Sequence, residues 1–236
     1  MTLEQARPVN RLNPSRKGPA IIAHQGGNTR SQILDALAHL ADQMEVDLWV
    51  EDGRFEARHD RSLRPLPVLW GGMWRFKWAP KHPFGLAELL RDTAGEIGIF
   101  LDLKNGGTTA GRLVRRAIDE AGFVPQVSAS SQLWSVLRGI AAAAPEVDLY
   151  YSIDSVPKLD LFMSVSERDL RPRGVSCKHK FITAPLVRKL HERGLLVIAW
   201  TVDDGDRAMQ LAEMGVDGIT TNVVPRIRDR FSALQV

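Results

Sequence analysis

Two histidines and three carboxylates stand in short segments whose residue types suit one kind of chemistry. They are His24-Gln25-Gly26-Gly27-Asn28-Thr29, Glu45-Val46-Asp47, Arg58-His59-Asp60 and Asp102-Leu103-Lys104. Histidine exchanges protons near neutral pH, and a pair lets one side chain deprotonate an attacking oxygen while the other protonates a departing one. Glu45 and Asp47 are two apart on one expected strand, so both side chains point the same way and can share a cation. Asp102 and Lys104 repeat that spacing. Three converging carboxylates repel one another, and a divalent ion removes that cost while also holding a phosphate oxygen. Two proton-transfer groups beside hard oxygen ligands are suited to a phosphate ester.

Such groups act together only if the chain delivers them to one place. Apolar runs predict strands at residues 20–23, 46–50, 97–103, 125–129, 147–153, 174–179, 195–201 and 218–220. Between them, helical spacing predicts helices over 31–43, 86–93, 109–121, 132–143, 184–192 and 207–214, with a last helix begun near Pro225. Asp52-Gly53 is a hairpin turn signal that returns the second strand toward His59. Within residues 154–174, Leu159 to Val165 fit either a strand or one short helix. Eight strands with intervening helices in 236 residues predict a single α/β domain, a (β/α)8 TIM-type barrel over residues 19–236, with a doubly wound open sheet as the alternative. In a barrel, His24, Asp47, Asp102 and Trp200 fall at strand ends on one face.

Residues 61–83 break the rhythm with Pro65, Pro67, Gly71, Gly72, Pro80 and Pro83. Trp70, Met73, Trp74, Phe76 and Trp78 alternate there with Arg75, Lys77, Lys81 and His82. This aromatic and basic insertion is expected to cover an apolar substituent through Trp74, to touch a membrane surface through residues 70–82, or to form a satellite core over the barrel mouth. Gly26 and Gly27 suit a loop whose backbone N–H groups approach phosphate, or a turn that needs positive φ. Asn28 is expected to contact substrate or cap the next helix.

The formal charge of +3 comes from a basic tail, residues 1–18, expected to be flexible; the remainder carries twenty-seven basic and twenty-seven acidic side chains. A neutral body without a Lys/Arg stripe argues against nucleic acid. Cys177 is the only cysteine, which excludes an intrachain disulfide and a thiolate cluster and leaves a small buried residue, or a nucleophile near His179, as its role. No apolar stretch approaches a membrane span and no secretory signal is visible, so a cytoplasmic enzyme is expected.

Taken in order, these segments resemble the glycerophosphodiester phosphodiesterases, within the wider group of barrel phosphodiesterases that includes phosphatidylinositol-specific phospholipase C. The resemblance extends through Ile22-Ala23-His24-Gln25-Gly26, Glu45-Val46-Asp47, His59-Asp60, Phe100-Leu101-Asp102-Leu103-Lys104, Trp200-Thr201-Val202-Asp203 and Gly215 to Asn222. It implies a metal-dependent barrel that releases glycerol phosphate and an alcohol from a small phosphodiester or a lysophospholipid. Under it, His24 and His59 are the acid/base pair, Glu45, Asp47 and Asp102 hold one divalent ion, Mg2+ or Ca2+, Lys104 lies near phosphate, and Trp200 lines the alcohol end. Asp102 stands where the family more often has glutamate. Gln25 stands where it has arginine, and an amide cannot clamp two phosphate oxygens as a guanidinium does. Lys104, Lys178 and Lys180 are the candidate substitutes, Lys178 and Lys180 sharing a face of the sixth strand. Two other readings remain at this point: phospholipase D-like cleavage of a lysophospholipid or sphingolipid with a cyclic phosphate product, and a barrel that binds phosphate or phospholipid without turnover.

Overall fold

A computed structural model describes residues 18–71, 73–80, 83–123, 125–166 and 172–232. The predicted basic tail thus lies outside the described residues except for Gly18, as do Lys81 and His82. The strands are β1 (Ala20–Ala23), β2 (Gln43–Glu51), β3 (Arg54–Ala57), β4 (Arg61–Ser62), β5 (Val68–Trp70), β6 (Phe76–Trp78), β7 (Gly98–Leu103), β8 (Val127–Ser131), β9 (Asp148–Ile153), β10 (Gly174–Lys178), β11 (Leu196–Trp200) and β12 (Gly218–Thr221). The α-helices are α1 (Arg30–Ala38), α2 (Leu86–Thr93), α3 (Gly107–Ala121), α4 (Trp134–Ala143), α5 (Val156–Val165), α6 (Ala184–Glu192), α7 (Gly205–Glu213) and α8 (Val224–Ser232).

Parallel pairing runs β1-β12-β11-β10-β9-β8-β7-β2, and a β1 to β2 pairing closes the ring, so eight strands make a closed barrel with helices outside it. Strand alternation sends every second residue inward. The lower interior holds an apolar cluster, in which Ala20, Ile22, Phe100, Tyr150 and Ile198 are buried together, with the Phe100 and Tyr150 rings 5.6 Å apart. Fully burying side chains of this size contributes about 1.5–3 kcal/mol each. The larger core lies between barrel and helices. In α3, Ala110, Leu113, Val114, Ala117 and Ile118 are buried at the i, i+3, i+4 spacing of one helix face.

Residues 159–165 resolve in favour of a helix, as part of α5. Phe162 of α5 is fully buried and joins Trp134 and Tyr151 in an aromatic cluster, so this segment completes the fifth barrel unit while Leu161 stays half exposed. Asp52 (φ 48) and Gly53 (φ 74) make the predicted hairpin turn, both in the left-handed region that twisted two-residue hairpins demand. The antiparallel return β3 carries the chain from the long strand β2 to His59. The insertion carries a three-stranded antiparallel sheet, β4-β5-β6. One expectation needs correction: the sixth barrel strand stops at Lys178, where residues 179–181 turn into a short 3-10 helix. Lys180 is therefore off the strand and shares no strand face with Lys178. Among the described residues, no helix is long and apolar enough to cross a membrane.

Candidate active site

The inward alternation carries polar groups to the C-terminal end of the barrel. Asp47 and Asp102 are direct partners in the β2 to β7 register, and Ser130 pairs with Asp102 on the next strand. Glu45, Asp47 and Asp102 each offer an oxygen within 4.8 Å of the others. A cavity of about 250 Å3 is lined by these three carboxylates, His24, His59, Lys104, Ser130, Gln132, Ser152, Ser176, Trp200 and Thr201. Both histidines, all three acidic residues, Lys104 and Trp200 thus meet at one mouth, from segments more than a hundred residues apart.

The first histidine is fixed by a relay. Asn222 donates its side-chain N–H to Asp203 Oδ2 (2.7 Å), and its backbone N–H and the Thr221 hydroxyl bind Asp203 Oδ1. That orientation leaves Asn222 Oδ1 to accept from His24 Nδ1, at 2.7 Å. With Nδ1 donating, His24 Nε2 is the nitrogen free to take a proton, and it lies 3.6 Å from Glu45 Oε2. Burial works against charge on Asp203, but the Asn222 and Thr221 donors and His24 more than offset it and hold its carboxyl below the ordinary value.

The second histidine sits on a different support. His59 follows β3, is about half exposed, and its Nδ1 lies 3.1 Å from Asp60 Oδ1, while Lys77 from β6 reaches Asp60 Oδ2 at 3.3 Å. Burial raises the Asp60 carboxyl, yet the His59 and Lys77 contacts bring it below its ordinary value. Arg58, which is buried, binds the Asp60 carbonyl (2.6 Å) and Glu51 (2.7 Å), pinning the backbone on both sides of His59.

The carboxylates are unequally compensated. Asp47 is almost wholly buried, and Asn28 holds it twice: the Asn28 amide N–H donates to Asp47 Oδ2 (2.7 Å) and Asn28 Oδ1 accepts from the Asp47 N–H (2.8 Å). Lys104 Nζ bridges Asp47 Oδ1 (2.6 Å) and Asp102 Oδ2 (2.5 Å). Burial works against its charge, but Asp102 and Asp47 outweigh that and keep the ammonium charged. Glu45 has no such partner. Burial, then the charges of Asp47 and Asp102, raise its carboxyl well above the ordinary value of 4.5, against weaker help from Lys104 and the Gln25 N–H. With all three ionised, the carboxylates facing one ammonium leave two negative charges. An all-oxygen donor set with that deficit fits a hard divalent ion.

Several sequence expectations change at this level. Both polar atoms of the Asn28 side chain are committed to Asp47, and the cap of α1 is Thr29, whose hydroxyl accepts from the Gln32 N–H. The positive φ falls on Gln25 (56°), not on Gly26 or Gly27. Those glycines serve close packing: a Cβ on Gly27 would stand 2.9 Å from Val46 Cβ. Their N–H groups bind the Ala23 and Glu45 carbonyls and are not available to phosphate. Gln25 donates its backbone N–H to Glu45 Oε2 (3.3 Å) and lines a neighbouring groove, not the mouth cavity. Lys178 and Lys180 do not line that cavity either; Lys180 lies over the Phe181 ring. Trp74 is 90% exposed on the hairpin turn, and with Trp78 at 79% the insertion is not a satellite core. Cys177 is buried, and burial pushes its thiol up to about 12, which removes it as a nucleophile.

Asp203, Asn222, Ser152 and Ser176 were not singled out individually as site residues from the sequence. The strand-end segments 200–203 and 218–222 carried the only signal for the first two, while the serines follow from alternation on β9 and β10 once the strand boundaries are known.

Residues 112–225 match the model of the Glycerophosphoryl diester phosphodiesterase family. The resemblance drawn from the motifs is thereby borne out, and the family is one of phosphodiesterase enzymes. The matched segment contains Ser130, Ser152, Ser176, Trp200, Asp203 and Asn222 but not His24, Glu45, Asp47, His59, Asp102 or Lys104, so the assignment of those six rests on their geometry. No curated protein matches the sequence. The fold resembles a glycerophosphodiester phosphodiesterase from Parabacteroides distasonis, at 19% identity and TM-score 0.76, covering 93% of this chain and 99% of that one. It also resembles an Oleispira antarctica phosphodiesterase in complex with the product sn-glycerol-3-phosphate, at 20% identity and TM-score 0.73, covering 91% of this chain and 97% of the other. A glycerophosphodiester phosphodiesterase from Agrobacterium tumefaciens is similar at 18% identity and TM-score 0.70, covering 89% and 99%. At these identities the likeness is one of fold.

Proposed function

We propose, with the family match over residues 112–225 as premise, that this chain hydrolyses glycerophosphodiesters to glycerol phosphate and an alcohol, with His24 and His59 as its proton-transfer pair. The observation that carries the reading is the convergence of both imidazoles on the Glu45, Asp47 and Asp102 cluster in one small cavity at the barrel mouth. Glu45, Asp47 and Asp102 would hold a divalent ion, Mg2+ or Ca2+, which when bound polarises a phosphoryl oxygen and offsets the charge on phosphate.

The protein's own groups account for the rest. Lys104, kept charged by Asp47 and Asp102, offers an ammonium at the phosphate position in place of the arginine that Gln25 does not supply. The Asp203 and Asn222 relay presents His24 Nε2 to the mouth, and Asp60 orients His59. One imidazole takes the proton of the attacking oxygen, water or a glycerol hydroxyl, and the other delivers one to the departing oxygen. If a glycerol hydroxyl attacks first, the two exchange roles in the second step, when water opens the cyclic phosphate. Ser130, Gln132, Ser152, Ser176 and Thr201 give the cavity a hydroxyl- and amide-rich wall, which supports a polyol such as glycerol.

The test is a panel of glycerophosphodiesters with release of glycerol phosphate followed by a coupled dehydrogenase. The reading predicts turnover that stops with chelator and returns with Mg2+ or Ca2+. Full turnover in chelator, or none across the panel with either ion, would overturn it.

A further inference from the structure

The insertion sheet has two chemically unlike faces. Its register pairs Arg61 with Trp70, Ser62 with Leu69, Val68 with Trp78, Leu69 with Lys77 and Trp70 with Phe76. Directly paired residues share a face and neighbours along a strand alternate. Arg61, Val68, Trp70, Phe76 and Trp78 therefore lie on one face, and Ser62, Leu69 and Lys77 on the other. The second face is the one turned to the barrel, since Leu69 is buried and Lys77 binds Asp60. A sheet with one packed face ordinarily shows polar groups to water. Here the outward face is aromatic: Trp78 is 79% exposed, Phe76 54% and Trp70 42%, and the turn adds Met73 and Trp74 at 90% each.

The chemistry around this patch selects its occupant. Residues 61–84 contain no aspartate or glutamate, and Arg61 and Arg75 accompany the aromatic side chains. Two of the segment's cations are already neutralised, Arg64 by Glu56 and Asp52 and Lys77 by Asp60. Arg61 and Arg75 have no carboxylate partner among the described residues. Exposed tryptophans on a sheet face and its turn, accompanied by unneutralised arginines, suit the boundary between lipid headgroups and acyl chains, where indole is amphipathic and anionic phosphate attracts guanidinium. A groove for a peptide or an area flat enough for a second copy is not what a turn with two side chains 90% exposed presents.

We propose that this face docks on an anionic phospholipid bilayer, with Met73, Trp74, Phe76 and Trp78 entering the interface and Arg61 and Arg75 against lipid phosphates. Asp60 binds Lys77 through one oxygen and His59 through the other, so docking holds the catalytic mouth at the lipid surface. This inference stands apart from the hydrolytic reading, because it concerns adsorption and not turnover.

The full chain is mixed with sucrose-loaded vesicles of phosphatidylglycerol and phosphatidylcholine in a one-to-three ratio, and with phosphatidylcholine alone, then pelleted. The anionic vesicles are expected to take up the protein, less so as salt is raised, with tryptophan emission shifted to the blue and quenched by brominated lipid. Replacing Trp74, Phe76 and Trp78 together by serine is expected to lower partitioning by about tenfold or more, with the melting temperature unchanged. Should that variant unfold, Met73→Ser with Trp74→Ser at the turn gives the same readout. His24→Gln is expected to pellet like the wild type, whether or not the chain cleaves phosphodiesters. Absence of wild-type pelleting on both vesicles, equal pelleting of a folded serine variant, or lipid-free dimerisation lost in the serine variant would each overturn the proposal.

Discussion

Replacing Lys104 by methionine isolates the charge balance of the mouth. Its ammonium is the cation between Asp47 and Asp102, at 2.6 and 2.5 Å, and methionine keeps most of the side-chain volume while removing the charge. Removing one partner of a fully buried ion pair costs about 3–5 kcal/mol, because the other charge is left uncompensated. Asp47 is 1% exposed, but Lys104 is 22% and Asp102 19%, and Asn28 still holds Asp47, so a discount to about 2–3 kcal/mol is appropriate. The assay is urea unfolding in chelator and again with saturating Mg2+ or Ca2+. In chelator the variant should lose that amount. Its site then carries one more unbalanced negative charge than the wild type, so the divalent ion should stabilise it more, and the gap between the two proteins should shrink. A variant as stable as the wild type in chelator, or one that gains no more from the ion, would refute the electrostatic argument.

Other consequences follow from single contacts. Asp203→Asn places an N–H opposite the Asn222 amide, turns that amide over and forces His24 Nδ1 to accept; kcat should fall about 10–100-fold, and imidazole nitrogen NMR should report the other tautomer. Glu45 bears on pH through its raised carboxyl: the neutral form is favoured by folding, so its stabilisation is complete below the ordinary value of 4.5 and is lost as pH rises through the higher folded value. A divalent ion binds the ionised form, so the gain in melting temperature on adding Mg2+ should grow over that same range, and a flat gain would count against Glu45 as a ligand. The Cys177 thiol, pushed up to about 12 by burial, should resist alkylation at neutral pH until the protein is unfolded, as mass spectrometry can follow.

Most of the barrel was legible because its signals are local. Apolar runs of four to six residues with amphipathic segments between them fix strand and helix order, and Asp52-Gly53 declares its turn by the positive φ both residues adopt. The pairs Glu45 with Asp47 and Asp102 with Lys104 were legible as same-side pairs for the same reason. What escaped depends on contacts across the ring. Nothing near residue 28 shows that Asn28 will be consumed by Asp47, nineteen positions away, or that Asn222 will reach His24 across the β1 to β12 seam. Lys180 was misplaced because its strand ends at Lys178, two positions before it. The insertion was the hardest segment, since large aromatics ordinarily seek burial, and only the register of β4-β5-β6 reveals that they face outward.

The central claim is that His24 and His59 jointly move protons for cleavage of a glycerophosphodiester at this mouth. Phosphorus NMR of glycerophosphocholine with the wild type, His24→Gln and His59→Gln, each with Mg2+ or Ca2+, tests it most directly. The account predicts a glycerol phosphate resonance growing with the wild type, after a cyclic phosphate if the glycerol hydroxyl attacks first, and rates lower by about 100- to 10,000-fold in each variant. Wild-type turnover undiminished in either histidine variant would contradict it.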